Sequence, residues 1–259
     1  MRKVAIVTGA SSGIGRAMAL HLAGEGISML LVGRDKKRLQ DIQMEIQNRY
    51  GTASVVSADI GESASAQRIV DTCVDEFGRI DILINNAGIG HYHHFSTMPP
   101  DAYMTVTKTN WDGVLHLSSR VLPFMIAQKE GTIVNVSSMG AMTGVPYRSV
   151  YCATKAAVRN WSRSLFMELR PHGIHVLCVI PGSTATSFFN NIIGNPPMAH
   201  SMPGGTMDSD KTAQLIWKGM TLKKREIILS PMGKMVDLAN RLSTTLIDAL
   251  VNFQHRRTT

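Results

Sequence analysis

The 259-residue chain is poor in cysteine and has no long apolar run. Its three cysteines, Cys73, Cys152 and Cys178, cannot all pair, and none has the spacing of a metal ligand. We therefore interpret them as reduced thiols, and we expect a cytoplasmic protein without a metal site. No apolar run approaches the roughly 18 residues that a membrane-spanning helix needs. The apolar stretch at the N-terminus ends at Thr8 and Gly9, which is too early for a signal peptide.

Acidic residues are also in deficit, with 19 Asp and Glu against 27 Lys and Arg, so the formal net charge is +8. A basic chain favours anionic partners: a phosphorylated cofactor, an acyl carrier, a membrane surface or nucleic acid. A generally basic surface without a specific partner would produce the same excess. No nucleic-acid-binding motif is present and the arginines are scattered, so we do not expect a nucleic acid partner.

The sequence lacks internal repeats and low-complexity linkers, which indicates one domain over residues 1–259. Short apolar runs alternate with longer amphipathic segments, as in βαβ units. The predicted strands are Val4–Thr8, Met29–Val32, Ser54–Ser57, Ile82–Ile84, Thr132–Val136, His175–Ile180 and Glu226–Leu229. The predicted helices are Ile14–Glu25, Lys36–Tyr50, Ser63–Phe77, Asp101–Gln128, Ser149–Leu169 and Ser209–Thr221. This alternation predicts an α/β protein with a doubly wound parallel β-sheet, the Rossmann fold.

Residues 183–208 do not follow this alternation. A connection of this length inside a compact domain is usually functional, and we predict a substrate lid. Its larger apolar residues are Phe188, Phe189, Ile192, Ile193, Met198, Met202 and Met207. Methionine-rich surfaces adapt to varied apolar ligands, so the lid favours a lipophilic substrate. The alternative is that these residues only pack the lid against the domain.

Residues 231–259 are predicted to form a C-terminal helical extension. A helix over Pro231–Phe253 would carry an apolar stripe of Met235, Leu238, Leu242, Leu246 and Leu250. The basic residues of the extension are Lys234, Arg241, Arg256 and Arg257. Residues 231–257 could therefore lie on an anionic membrane surface, although Asp237 and Asp248 weaken this interpretation. The helix could equally cap the substrate cleft or form a subunit contact.

A glycine-rich turn directly follows the first predicted strand. Glycines let the backbone turn sharply and approach a phosphate, and the next helix presents free N–H groups at its positive end. Between a strand and a helix, such a turn predicts a dinucleotide site. The residues expected at the cofactor are Gly9, Ser11, Ser12, Gly13, Ile14 and Gly15. A tight turn without a ligand is the alternative.

The second predicted strand is followed by Gly33, Arg34 and Asp35. A carboxylate at this place suits the ribose 2′-hydroxyl of NAD, whereas an arginine suits the 2′-phosphate of NADP. We interpret Asp35 as the N-cap of the helix that begins at Lys36, which leaves Arg34 to meet the phosphate. The sequence therefore favours NADP(H) over NAD(H).

Tyr151 and Lys155 are four residues apart in a predicted helix. At that spacing their side chains leave the same helix face and can share one pocket. A nearby fixed cation favours the phenolate, so we expect Lys155 to lower the pKa of Tyr151. The pair is then a proton donor and acceptor usable near neutral pH.

Polar or small residues follow four further predicted strands. They are Asp59, the segment Asn85-Asn86-Ala87-Gly88, Ser137-Ser138 and Pro181-Gly182. The carboxyl ends of parallel strands meet at one edge of the sheet, where doubly wound sheets bind ligands. The coincidence of all these segments predicts one ligand site at that edge.

With these motifs, together with Asn110, the chain resembles the short-chain dehydrogenase/reductase family in its shorter branch of about 250 residues. The resemblance covers Val4 to about Thr186 and implies hydride transfer between a nicotinamide and a carbonyl or secondary alcohol. It makes Tyr151 the general acid, and Lys155 the residue that holds the nicotinamide ribose. Ser138, thirteen residues before Tyr151, would polarise the substrate carbonyl; Ser137 is its rival, but alternating side chains put only one of them in the pocket.

The resemblance implies that Asn110 kinks its helix and holds a water that links Lys155 to solvent. It also implies cofactor contacts by Asp59, Ile60, Asn86, Ala87, Gly88, Pro181, Gly182, Thr184 and Thr186. The expected partner is a small carbonyl or alcohol substrate, and a homo-oligomer, a dimer or tetramer, is expected. Shorter members of the family lack the extension after the last strand, which puts an oligomer contact by analogy in doubt.

Three alternatives stay open on the sequence. The enzyme could reduce a 3-oxoacyl thioester on an acidic carrier protein, or the chain could be a non-catalytic regulator that binds NADP(H). The histidine-rich segment His91–His94 could bind a metal, line the substrate cleft or be a solvated loop.

Overall fold

The computed structural model of the protein describes residues 2–184, 188, 192–194 and 206–258. In this part of the chain there are nine strands, each paired in parallel with a neighbour, and seven of them correspond to the apolar runs of the sequence. The strands are β1 (Val4–Thr8), β2 (Ser28–Gly33), β3 (Ala53–Ser57), β4 (Ile82–Asn85), β5 (His91–Tyr92), β6 (Gly131–Val136), β7 (Ile174–Ile180), β8 (Ile193–Gly194) and β9 (Glu226–Ile228). The helices are α1 (Gly13–Gly24), α2 (Lys36–Arg49), α3 (Ser63–Phe77), α4 (Pro100–Thr107), α5 (Gly113–Gln128), α6 (Ser149–Leu169), α7 (Ser209–Thr221), α8 (Pro231–Leu242) and α9 (Thr244–Thr258).

Seven of these strands form one sheet in the order β3-β2-β1-β4-β6-β7-β9, and all of its pairings are parallel. The chain therefore runs outward from β1 in both directions, which confirms the predicted doubly wound sheet. The strands β5 and β8 pair with each other outside this sheet. With two residues each, they are too short for an apolar pattern to predict them.

Both faces of the sheet are covered, so its strands are predominantly apolar. In β1, Ala5 and Val7 pack into a core with α1, α2 and α7 on one face. Val4 and Ile6 alternate with them and pack with α3, α5 and α6 on the other face. The two layers of helices leave only the strand ends open to solvent, which is where the site must lie.

A buried chain of polar side chains connects the sheet to α6. Asn85 Nδ2 donates to Asn135 Oδ1 (2.8 Å) across the paired ends of β4 and β6. Asn135 Nδ2 donates to Ser162 Oγ (2.9 Å) on α6. Unsatisfied polar groups are costly in an apolar core, so these hydrogen bonds hold the helix at one height above the sheet.

The segment predicted as one helix over Asp101–Gln128 is two helices. Between α4 and α5, residues Lys108–Asp112 form a π-helical turn that contains Asn110. Such turns occur mostly as single insertions inside α-helices and often at functional sites. This π-helical turn lies where the resemblance implies a kink at Asn110.

The predicted helix over Pro231–Phe253 is also wrong as one element, because Ser243 is extended (φ −160°, ψ 110°) between α8 and α9. The apolar stripe does not face the core: Met235, Leu238 and Leu242 are 66%, 62% and 81% exposed. The opposite face of α8 contacts α6, since Arg159 Nη2 lies 2.9 Å from Asp237 Oδ1. The side chains of Leu246 and Leu250 lie outside the described residues. Among the described helices, none is long and apolar enough to cross a membrane.

Candidate active site

The carboxyl ends of β1, β2, β3, β4, β6 and β7 open into one cleft. Of the residues predicted at the site, those on its wall are Gly9, Ser11, Ser12, Gly13, Ile14, Arg34, Asp59, Ile60, Asn86, Ala87, Gly88, Ser138, Tyr151, Lys155, Pro181, Gly182 and Thr184. Gly15 and Asn110 are buried behind the wall, and Thr186 lies outside the described residues. The structure thus brings together side chains from positions 9 to 184 of the sequence.

The glycine-rich turn has the geometry that only glycine supplies. Gly9 and Gly13 have φ of +64° and +54°, and a Cβ on Gly9 would lie 2.8 Å from Asn86 Nδ2. Gly15 does not reach the cleft, because a Cβ there would collide with the Gly9 carbonyl oxygen. The role of Gly15 in the motif is therefore to allow α1 to pack closely against the turn.

Thr8 lies at the end of β1, directly before the glycine-rich turn, and it connects this strand end to the loop after β4. The sequence does not predict this role. Its hydroxyl oxygen accepts from the Asn86 and Ala87 amides (3.0 and 3.1 Å). Asn86 Nδ2 donates to the Thr8 carbonyl (2.9 Å). The Asn86 side chain is thus occupied with the protein backbone, and its effect at the cleft is to shape the wall.

Arg34 and Asp35 have the separate positions that the sequence predicts. Asp35 Oδ1 accepts from the Arg38 amide (3.1 Å) as the N-cap of α2. Arg34 is exposed on the cleft wall, and its guanidinium makes no hydrogen bond or ion pair with the described residues. Nearby, Asp59 is exposed and its carboxylate accepts from the Gly61 amide (2.9 Å), which shapes the loop after β3.

Ser138 and Ser137 turn to opposite sides at the end of β6. The Ser137 hydroxyl is buried and donates to the Lys155 carbonyl (2.8 Å) on α6. The Ser138 hydroxyl accepts from the Gly140 amide (3.2 Å) and faces the Tyr151 phenol, whose pKa it lowers as a hydrogen-bonding neighbour. Two hydroxyl groups therefore meet at one point of the cleft, as reduction of a carbonyl oxygen requires.

Lys155 is buried one helical turn beyond Tyr151, and its Nζ donates to the Val136 carbonyl (3.0 Å). Burial lowers the pKa of Lys155 to about 8, since the charged form loses its hydration. At pH 7 the amine is still mostly protonated. Lys155 thus brings a positive charge into the cleft.

The expectation that Lys155 lowers the pKa of Tyr151 is wrong in this structure. Burial raises the pKa of the Tyr151 phenol, and this effect exceeds the lowering by the Ser138 hydrogen bond and by the charge of Arg148. The physical reason is that the Lys155 ammonium is directed to the Val136 carbonyl instead of the phenol. Tyr151 is consequently protonated at neutral pH and is a proton donor.

Asn110 is fully buried, and its hydrogen bonds connect the π-helical turn to the loop after β4. Its Oδ1 accepts from the Ile89 amide (2.8 Å), and its Nδ2 donates to the Ile89 carbonyl (2.9 Å). Nδ2 also lies 3.2 Å from Thr154 Oγ1 on α6. With both ends of the carboxamide bound to protein, Asn110 supports the wall beside Lys155; its predicted role in holding a water stays a prediction.

His91 is buried and lies behind the cleft wall, at the start of α6. Its Nε2 accepts from the Tyr151 amide (3.1 Å), so the neutral ring carries its proton on Nδ1. Burial lowers the pKa of His91 to about 4, and the charges of His93 and Arg148 act in the same direction. None of His91–His94 lines the cleft. In the described part of the chain, no three His, Cys, Asp or Glu side chains come close enough to hold a metal.

Two contacts involve the described parts of the segment 183–208. At its base, the Met207 amide donates to the Ser183 carbonyl (2.8 Å). Further along, the Phe188 ring lies 5.8 Å from the Tyr151 ring, centroid to centroid. Phe189, Met198 and Met202 lie outside the described residues. An apolar side chain of the predicted lid is thus in contact with the predicted catalytic acid.

Several residues on the wall were not predicted, among them Thr109, Met139, Val145, Arg148 and Cys152. Most are apolar or small and simply continue the surface. Arg148 differs, because it is a charged residue three positions before Tyr151. Only that proximity in the sequence could have pointed to it.

The wall has the features that a dinucleotide needs. The turn at Gly9 lets the backbone approach a phosphate, and the N-terminus of α1 follows this turn. Arg34 lies beyond it on the wall, and its guanidinium is not paired with any residue that the structure describes. At the other end, Gly88 leaves room for its neighbours, since a Cβ there would lie 3.2 Å from both Lys155 Nζ and Asn110 Oδ1. The residues present fit a nicotinamide cofactor that extends from Arg34 to Tyr151.

Comparisons with known proteins agree with this geometry. A family model described as short chain dehydrogenase matches residues 3–195. A 3-oxoacyl-[acyl-carrier-protein] reductase from Synechocystis sp. is 34% identical over 195 residues, 75% of this chain and 79% of that protein. The structure of a short-chain dehydrogenase from Sphingobium yanoikuyae in complex with NADPH is 28% identical, with a TM-score of 0.81 and 95% of each chain covered. A 3-ketoacyl-(acyl-carrier-protein) reductase from Brucella melitensis complexed with NADH is 29% identical, with a TM-score of 0.80 over 88% of this chain and 96% of that one.

The buried His91 makes the stability of the fold depend on pH. Its pKa is 6.5 in the unfolded chain and about 4 in the fold, so between these values only the unfolded chain binds the proton. The free energy of unfolding therefore falls as the pH is lowered through this window, by roughly 3 kcal/mol at most. Urea denaturation at several pH values should show a smaller fall for His91→Gln, which keeps an acceptor but does not titrate.

The exposed His94 provides the control. The free energy of unfolding of His94→Gln should fall as steeply with decreasing pH as that of the unsubstituted chain. Equal slopes for His91→Gln and the unsubstituted chain would contradict the assignment of this pH dependence to His91.

Proposed function

We propose that this chain, which belongs to the short-chain dehydrogenase family, reduces the carbonyl group of a fairly lipophilic substrate with NADPH. The chain is an oxidoreductase that uses a nicotinamide cofactor. The observation that carries the proposal is the position of the Ser138 and Tyr151 hydroxyls on one cleft wall, with Lys155 one helical turn from Tyr151 on the same wall. A carbonyl oxygen placed between the two hydroxyls would receive a polarising hydrogen bond and a proton.

The chemistry that the cofactor supplies is the hydride, and the protein supplies position and charge. Ser138 is oriented by the Gly140 amide and donates to the substrate oxygen. Tyr151, protonated at neutral pH, transfers its proton to the oxygen as negative charge develops there. The Lys155 ammonium stabilises that charge from its buried position. We propose the direction of reduction because reduction of a carbonyl needs a proton donor, and the protonated phenol is such a donor.

Arg34 supports NADP(H) over NAD(H). It is exposed on the wall at the end of β2, and Asp35 beside it is engaged in capping α2. A guanidinium can hold a 2′-phosphate by two parallel hydrogen bonds.

The apolar side of the cleft supports a lipophilic substrate. Phe188 contacts Tyr151, and the backbone of Gly90 lies close to both Phe188 and Ile192, about where a substrate chain would enter. The alternative substrate is a 3-oxoacyl thioester, which the Synechocystis relative's name favours. An NADPH-oxidation screen across ketosteroids, long-chain ketones, retinoids and acyl thioesters distinguishes the two.

Residues 183–208 remain our proposed substrate lid and residues 231–259 our proposed helical extension of a single domain. The three buried free thiols support a location in the reducing cytoplasm. We also propose that the protein forms a homo-oligomer, a dimer or tetramer.

Tyr151→Phe should lower kcat for carbonyl reduction by about 10²- to 10⁴-fold, the usual contribution of a general acid. NADPH binding, followed by the fluorescence of the cofactor, should change little because the ring is retained. Tyr103→Phe, on α4 and outside the cleft wall, is the matched control and should keep full activity. Unchanged turnover in Tyr151→Phe would refute the mechanism and favour the non-catalytic alternative.

Arg34→Ser should raise KM for NADPH by about 10- to 100-fold, as expected for one lost charge-assisted pair, and leave KM for NADH nearly unchanged. The matched control is Arg49→Ser, at the far end of α2. Steady-state kinetics with both cofactors measure the effect. A preference of the unsubstituted enzyme for NADH, or equal efficiency with both, would contradict the role of Arg34.

We also propose that α8 contacts an anionic membrane surface. Met235, Leu238 and Leu242 are exposed on one face, and Lys234 and Arg241 lie beside them. Replacing the three apolar residues by Ser should abolish co-sedimentation with vesicles that contain phosphatidylserine, while the enzyme stays active. Met167→Ser with Leu222→Ser, two exposed apolar residues elsewhere, should bind vesicles normally.

Failure of the unsubstituted protein to bind these vesicles would disprove the membrane contact. Light scattering on the triple variant tests the competing role of α8, because a drop in molecular mass would identify this face as a subunit contact.

A further inference from the structure

Arg148 is a charged residue on the cleft wall that the catalytic mechanism does not use. It is half-buried, it is the N-cap residue of α6, and it stands three positions before Tyr151. Its backbone is engaged, since the amide donates to the Val145 carbonyl (3.0 Å) and the carbonyl accepts from the Cys152 amide (2.9 Å). Its guanidinium makes no hydrogen bond and no ion pair with the described residues.

The other half-buried arginines all have side-chain partners. Arg16 pairs with Glu45 and Arg79 with Asp81. On α6, Arg159 pairs with Glu226 and Asp237, and Arg163 lies 3.7 Å from Glu226. Arg120 has no carboxylate but donates to the His116 carbonyl and to Ser63 Oγ. Among the described residues of this class, Arg148 alone lacks a partner.

No carboxylate from the rest of the chain can fill this role. Every Asp and Glu of the sequence lies in the described part of the chain, and residues 185–205 contain none. A guanidinium cannot lose its proton in a protein, and a half-buried charge without a partner is unfavourable. Its surroundings thus call for an anion that comes from outside the chain.

The position of Arg148 separates that anion from the phosphates of the cofactor. In the proposed function, those phosphates lie at the glycine-rich turn and at Arg34, beyond the ends of β1 and β2. Arg148 lies at the opposite end, where its charge acts on Tyr151, Cys152 and Tyr92. Its nitrogens are not sealed within the protein, so a ligand in the cleft can reach them. The molecule that occupies this end is the substrate.

We propose that Arg148 binds a carboxylate of the substrate, so that the enzyme reduces oxo acids: carbonyl compounds whose apolar chain also carries an anionic group close to the reacting carbonyl. The inference rests on the proposed function, which places the carbonyl between Ser138 and Tyr151. A guanidinium and a carboxylate form two parallel hydrogen bonds, so the pair would fix the orientation of the chain as well as its charge. The apolar contact at Phe188 then meets the rest of the chain.

Binding is tested first, without the cofactor. Octanoate should bind the unsubstituted chain at least tenfold more tightly than octanamide by isothermal titration calorimetry, and Arg148→Met should abolish this difference. Arg148→Lys, which keeps the charge without the planar fork, should retain part of it. Arg120→Met removes a half-buried arginine outside the cleft and should bind octanoate normally. Acetate, which offers the charge without the chain, should bind far more weakly than octanoate.

Kinetics form the second test, with long-chain oxo acids that differ in the spacing between ketone and carboxylate, each beside its methyl ester. For at least one spacing, kcat/KM of the acid should exceed that of the ester by about 10- to 100-fold, the worth of one charge-assisted pair. Arg148→Met should remove this excess through KM, so that acid and ester then react with similar kcat/KM.

The inference is overturned if the unsubstituted enzyme reduces acids and esters equally well, or if Arg148→Met lowers both alike. It is also overturned if octanoate and octanamide bind equally. Absence of NADPH oxidation with every acid, ester and ketone would instead disprove the proposed function, while the binding experiment would still decide the role of Arg148. Thermal unfolding of each variant shows whether the fold is intact, and Arg148→Lys decides the question should Arg148→Met not fold.

Discussion

The geometry of the active site depends on how α6 is fastened to the end of β6. Two hydrogen bonds run in opposite directions there: Ser137 Oγ donates to the Lys155 carbonyl, and Lys155 Nζ donates to the Val136 carbonyl. Because Ser137 is bound to the helix, Ser138 is turned to the cleft and meets Tyr151. One turn of helix and one strand end thus determine which groups can touch a substrate oxygen.

The charges of the cleft are arranged along its length rather than gathered at one point. Arg34 marks one end and Arg148 the other, and Lys155 lies between them. Burial weakens the acidity of the Tyr151 phenol, while the charge of Arg148 acts in the opposite sense. The enzyme therefore keeps a proton on the phenol in the free state and has positive charge ready for the oxyanion that forms when the proton leaves.

The fold and most of the cleft wall follow from local patterns in the sequence. Each strand of the main sheet is a short apolar run, and the residues just after it reach the same edge, so composition at strand ends predicts the wall. What could not be predicted depends on neighbours that are distant in sequence. His91 accepts from the Tyr151 amide of α6 across 60 residues of sequence, and Arg148 is notable only because none of the described residues neutralises it. The exposed stripe on α8 has the same origin, because the helix is held by its polar face, at Asp237.

The π-helical turn at Asn110 corrects the phase of the helical segment that contains it. The residues that face the interior, Ala102, Val106, Asn110 and Val114, are spaced by four throughout. On a regular α-helix each interval of four overshoots one turn by about 40°, so three intervals would rotate the buried face by about 120°. The wider turn takes up roughly the rotation of one residue. It thereby keeps α4 and α5 on one continuous inner face, with the Asn110 carboxamide pointing at the Ile89 backbone instead of sideways into α5.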